Sequence, residues 1–253
     1  MVHKKQICLK ATLLTIPVMS ILWEISSRTI FDENLFPPPS LVLFAFIQMI
    51  RNGELIRDIS VSLLRALIGF AMSAILGIIC GILTANFAVM RKTLGQIIEL
   101  LRPVPAIAFL PLFVLWLGIG ELSKIIIIAY GCFFPVWIST HIGIMDVEKS
   151  YIWAARSLGA KSNNIFGEII LPAAAPFILI GLRTSIGAAF ILLIVAEMAG
   201  AFSGLGYRIS VSHLAFRADK MLAAMIALGI FGALAHKMFI ILSNKVTPWY
   251  ETK

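Results

Sequence analysis

Charge is what this chain has least of. Aspartate, glutamate, lysine and arginine together make up 13% of its 253 residues, while 60% are hydrophobic. A soluble domain carries about a quarter charged residues, so an ordinary soluble globular fold is excluded and an integral membrane protein remains. Cysteine is scarce too. Cys8, Cys80 and Cys132 have no CxxC or Cys/His spacing, which argues against a disulfide framework or a metal site and makes them reduced packing residues. The histidines His3, His141, His213 and His236 stand too far apart to share a local motif, and no paired-carboxylate or nucleophile constellation is present, so the chain is expected to be non-catalytic. Negative charge is the rarer sign, 13 acidic residues against 21 basic. The basic residues lie near the ends of apolar segments without exposed aromatics between them, a pattern of membrane topology and not of nucleic-acid binding.

Long apolar runs, by contrast, are abundant. Six can cross a hydrocarbon core that needs about 20 residues per helix: Leu9 to Ile30, Val61 to Phe87, Ile97 to Leu117, Ser123 to Ile144, Leu171 to Ala196 and Met221 to Ser243. The expected fold is therefore an all-α, polytopic helical bundle forming a single transmembrane domain over 1–253. The first run follows Lys4, Lys5 and Lys10 as a secretory signal would, yet it lacks a small-x-small cleavage site and leads into Glu24 and Arg28, so it reads as an uncleaved membrane helix. An even number of spans puts both termini on one side. With the N-terminus inside, Lys4, Lys5, Lys10, Arg91, Lys92, Lys149, Arg156, Lys161, Lys245 and Lys253 are all cytoplasmic, as the positive-inside rule requires. The opposite loops then carry mixed charge, including Arg28, Asp32, Glu33, Glu54, Arg57 and Asp58.

Three stretches are not simple spans. Leu35-Phe36-Pro37-Pro38-Pro39-Ser40 is a stiff extended segment, after which Leu41 to Ile50 is too short to cross and is expected to lie along the outer interface with Ser40 as its N-cap. Gly200 to Lys220 is expected to form a short re-entrant or interfacial element. The third span carries Pro103, Pro105 and Pro111, each of which removes a backbone donor, so it should be kinked or locally unwound. Irregular backbone at membrane depth is tolerated where protein or a wet cavity satisfies it, which makes Arg102, Pro103 and Pro105 candidate pathway residues.

Charges inside apolar spans are costly and therefore functional suspects. Arg183 lies roughly 16 Å along a helix from Pro172, close to the bilayer middle, where it could meet an anion in passage, pair with Glu99 or Glu168, or cap neighbouring carbonyls. Arg102 could act similarly or snorkel. Glu197, at the outer end of the fifth span, is a candidate for fixing an external gate. Gly181, Ser185 and Ala189 share one face that permits close helix approach, either within the chain or between two copies.

The polar interruption before the fifth span is Trp153-Ala154-Ala155-Arg156-Ser157-Leu158-Gly159, followed nine residues later by Ile169-Ile170-Leu171-Pro172. Ala154, Ala155 and Leu158 form one small apolar stripe on a short helix that Gly159 ends, and Pro172 is placed to begin the next helix. The spacing resembles the coupling loop of bacterial ABC importer permeases: Glu-Ala-Ala, three residues, Gly, nine residues, Ile-x-Leu-Pro, with Trp153 in place of the leading Glu. The likeness extends along the chain through Leu35 to Ser40, Leu101-Arg102-Pro103-Val104-Pro105, Leu115 to Lys124, Ala196-Glu197-Met198 and Ser203 to Tyr207. In these segments the chain resembles permeases of the nitrate, sulfonate, taurine and bicarbonate type, with thiamine-precursor pyrimidines as the runner-up cargo.

The resemblance implies the type I ABC importer permease fold, with a coupling loop at about 145–170 in which Trp153, Ala154, Ala155, Leu158, Gly159, Leu171 and Pro172 serve ATPase coupling. It also implies a homodimer of permeases in a bacterial inner membrane, two ABC ATPase subunits and an extracytoplasmic substrate-binding protein. No cofactor would reside in this chain, ATP and magnesium being bound by the partner ATPase. A stand-alone secondary transporter would need internal repeats, and neither the proline-rich span nor the coupling loop recurs.

Overall fold

The computed structural model describes the backbone of residues 2–247 and, in the first helix, side chains at 15 and from 17 on. His3, Lys4, Lys5, Cys8, Lys10 and Lys253 lie outside the described side chains. The described residues form helices and no strand: α1 (Val2–Thr29), α2 (Pro39–Arg51), α3 (Glu54–Asn86), α4 (Ala88–Leu101), α5 (Ala106–Leu117), α6 (Glu121–Met145), α7 (Lys149–Ser157), α8 (Ser162–Met198), α9 (Leu205–Leu214) and α10 (Ala218–Val246). Among them α3, α6, α8 and α10 are long and apolar enough to cross a membrane, and α4 with α5 passes as a fifth span bent by 88°. The remaining expected span falls in α1, part of which lies outside the described side chains.

Two compact units emerge, one of the residues up to Ser60 with Phe202–Gly229, the other of Val61–Ala201 with the residues from Ile230 on. In the first, α2 begins two residues earlier than expected, because Pro39 suits the first helical position and Pro38 is the cap. Ser40 is thus inside the first turn and not its N-cap. The capping anion comes from α1: Glu24 accepts from the Ser40 backbone N–H at 3.1 Å and from its hydroxyl at 2.8 Å, a carboxylate at the positive end of a helix. Val42, Ala45 and Met49 give α2 a buried stripe against Leu55, Leu205, Ala223 and Ala227, while Leu43 and Phe44 face outward. Glu54 and Asp58, expected in a loop, belong to the first turns of α3. Asp58 is buried, accepting from the Gly204 N–H at 3.0 Å and from Arg208 Nε at 2.7 Å, and Arg208 Nη1 also reaches Glu54 at 3.0 Å. These bonds fasten α9, which occupies the expected interfacial stretch, to the base of α3.

In the second unit α6 is the central helix, burying Ile127, Ile128, Val136 and Trp137. Its neighbours approach closely because they present glycine. A Cβ at Gly77 of α3 would stand 2.8 Å from the Val136 Cβ, and one at Gly181 of α8 would stand 2.7 Å from the Ser139 Cβ. Ser185 Oγ donates to the Cys132 carbonyl at 2.9 Å and Ala189 is buried, so the Gly181, Ser185 and Ala189 face is an internal contact with α6. Replacing Gly77 by leucine should cost about 1–3 kcal/mol through overpacking, read as a lower thermal midpoint of the purified chain. An unchanged midpoint would show that α3 moves away freely.

Two spans begin earlier than their hydropathy suggests. Only Phe87 separates α3 from α4, so Arg91 and Lys92 sit on a helix and not in a loop. Arg91 Nε donates to the Thr84 carbonyl at 3.1 Å, satisfying the end of α3. α8 is already helical from Ser162, so Pro172 does not begin it. The turn before Pro172 widens to a π-helix over Phe166–Ile170, and this accommodates the missing N–H and the ring that would clash within a regular helix. The expected break in the third span lies between Leu101 and Ala106, at Pro103 and Pro105, whereas Pro111 sits near the start of α5.

Candidate functional site

α7 is a short helix closed by backbone alone. The Gly159 N–H donates to the Arg156 carbonyl and the Ala160 N–H to the Ala155 carbonyl, both at 3.0 Å, the paired bonds of a Schellman motif. Gly159 has φ +83°, which a residue with a Cβ rarely adopts. The helix presents Trp153, 64% exposed, and Leu158, 89% exposed, with Tyr151 and Ala154 also exposed. Ala155 departs from the expected stripe. It is only 9% exposed and turned into its own chain, because successive residues on a helix point 100° apart and α7 lies against the first turns of α8. Leu171 and Pro172 are half-buried within α8 and do not join the exposed face.

The break between α4 and α5 borders a cavity of about 360 Å³ whose lining includes Arg102, Pro103, Pro105, Tyr130, Phe134 and Leu192. Arg102 itself is exposed. Arg183 lies elsewhere, near the middle of α8, in a recess of about 50 Å³ with Pro176, Ser243, Asn244 and Thr247. Its Nε donates to His236 Nε2 at 3.3 Å. Neither Glu99 nor Glu168 forms an ion pair with it among the described residues. Arg183 is exposed in the single chain and does not face the interior of its own bundle.

Glu197 is where the strongest electrostatics lie. Its carboxylate is 1% exposed, accepts from Ser62 Oγ at 2.7 and 2.9 Å, and accepts from Arg65 Nη1 at 2.7 Å. The other edge of the Arg65 fork grips Glu121 bidentately, with Nη2 at 2.6 Å from Oε1 and Nε on Oε2. Lys124, also buried, donates to the Gly120 carbonyl at 2.9 Å and stands 3.7 Å from Glu121. Three helices, α3, α6 and α8, thus meet through charge at one end of the unit. Sequence reasoning singled out Glu197 and missed Arg65, Glu121 and Lys124. The available signal was Arg65 itself, a cation inside the Val61 to Phe87 apolar run, which only a buried counter-charge can sustain.

A bundle of apolar helices with one broken span and an exposed short helix before another is the architecture of a multi-pass membrane protein. Residues 73–250 match the family of binding-protein-dependent transport system inner membrane components, and the chain belongs to it, as the membrane-spanning subunit of an ABC importer. A protein of Bacillus subtilis carried under the name of an aliphatic sulfonates transport permease, SsuC, is 36% identical over 95% of this chain and 87% of its own length. The taurine transport system permease protein TauC of Escherichia coli is 33% identical over 92% of this chain and 86% of its own length. The fold is also that of a chain of the MetNI methionine ABC transporter in an inward-facing conformation, with TM-score 0.65 and 20% identity over 76% of this chain and 96% of that one.

Proposed function

We propose that two copies of this chain form the translocation path of an importer for a small sulfonate-class anion, each docked through α7 to an ABC ATPase and fed by an extracytoplasmic binding protein. The observation that carries the docking is the exposed Trp153, Ala154 and Leu158 face on a helix that closes without using those side chains. Its position between α6 and α8, beside Lys149, Arg156 and Lys161, suits the cytoplasmic side and supports the reading with both termini on that side and the Arg65 cluster on the outer one. The anion class rests on the sulfonate and taurine relatives. ATP and magnesium belong to the ATPase, so this chain contributes motion and path but no chemistry.

Arg183 is assigned to that path. It is the exposed cation near the middle of α8, and a second permease copy would enclose it. Its planar fork suits a sulfonate or carboxylate. The test is proteoliposome uptake of a labelled alkanesulfonate with the ATPases and the binding protein present. Wild type is expected to transport it, Arg183→Gln to lose uptake with an unchanged thermal midpoint, and Arg183→Lys to keep part of it. Normal uptake by Arg183→Gln removes the path assignment, and absence of any sulfonate-stimulated ATP hydrolysis by wild type removes the cargo class.

A further inference from the structure

The Arg65 cluster holds its two carboxylates very differently. Glu197 is sealed between Ser62 and Arg65, whereas the Glu121 side chain is 60% exposed although the two cations it touches, Arg65 and Lys124, are 2% and 5% exposed. Glu121 is the first residue of α6, where the chain turns out of the Gly118 to Gly120 bend, and its carboxylate covers two N–H groups of the guanidinium as a bidentate anion would. Counting unit charges, Arg65 and Lys124 exceed Glu197 by one, so the positive charge left when Glu121 swings outward calls for an anion from solution.

We propose that Arg65 and Lys124 form an anion site at the outer end of the bundle, with the Glu121 carboxylate as a tethered stand-in that an incoming sulfonate or carboxylate displaces. A sulfonate fits the arrangement: two oxygens replace those of Glu121 on the Arg65 fork and the third faces Lys124 Nζ. The displaced Glu121 then offers its carboxylate to an ammonium on the same ligand, which favours a zwitterionic sulfonate over a plain one. The tether makes the site weak by design, since a ligand competes with a group held permanently at high effective concentration. Such a site receives an anion without retaining it. This inference rests on the anion-import reading above, and assigns that cargo an entry point.

The experiment measures binding of labelled ethanesulfonate to the detergent-purified complex of the full chain with its ATPase, at constant ionic strength. Glu121→Gln removes the competing charge and should bind about ten-fold or more tightly than wild type, as when a binding-competent state is freed from an occluding one. Adding Lys124→Gln to that variant should abolish the gain. A purely structural role for Glu121 would predict the opposite sign, a weaker or unfolded variant with no gain. No increase in affinity for Glu121→Gln, or a gain that survives Lys124→Gln, overturns the proposal. If Glu121→Gln does not fold, the comparison passes to wild type against Lys124→Gln at higher ligand concentration, where equal binding overturns it. The cargo reading fails separately: sulfonate uptake by wild type without a gain in Glu121→Gln sinks the site alone, and the gain without uptake sinks the cargo alone.

Discussion

Arg65→Leu should destabilise the chain by about 3–5 kcal/mol, the usual cost of removing one partner from a buried ion pair. The substitution takes the counter-charge from Glu197, whose carboxylate is 1% exposed and cannot reach bulk water. Restoring neutrality should recover most of the loss, so Arg65→Leu with Glu197→Leu is expected to be more stable than Arg65→Leu alone, a coupling of contacting residues that a double-mutant cycle isolates. Thermal unfolding of Arg65→Leu, Glu197→Leu and the double variant in detergent is the measurement. Equal midpoints for the single and double variants would show that Glu197 does not depend on Arg65.

The second large effect is functional and leaves the fold intact. Trp153→Ala should weaken ATPase association by roughly 2 kcal/mol, as loss of a buried aromatic anchor does, and Leu158→Asp should abolish ATP-driven uptake by placing a charge in an apolar groove. Both residues are exposed in the chain, 64% and 89%, so neither change should move the thermal midpoint of the permease alone. Trp153→Glu should be tolerated better than Trp153→Ala. Ala155→Arg is the contrast: at 9% exposure it should lower stability first. Co-purification of the ATPase with each variant decides the matter, and full recovery with Leu158→Asp would remove α7 from the docking surface.

Much of this architecture was legible because it depends on local properties. Five of the six apolar runs fall within or along described helical spans, the prolines at 103 and 105 mark the break, and Gly159 marks the end of α7. What escaped depends on distant partners. Arg65 meets Glu197 across 132 residues and Asp58 meets Arg208 across 150, and hydropathy windows average such charges away. The start of α8 at Ser162 escaped for another reason: Pro172 reads as a helix start only if the turn before it cannot widen. Arg183 stands out in the sequence as a cation in an apolar helix, but the side chain it meets is His236, a residue with no local motif to mark it. Ala155 was assigned to the exposed stripe because spacing alone fixes which residues share a face and not which face is outward.

The way α7 closes also separates two kinds of inheritance. Its end is written in backbone bonds and one left-handed glycine, while the side chains of Tyr151, Trp153, Ala154 and Leu158 take no part in that closure. Substitutions at these four positions can therefore accumulate with little penalty in folding. The chemistry of the face that α7 presents is thus free to change while the helix and the glycine that ends it stay as they are.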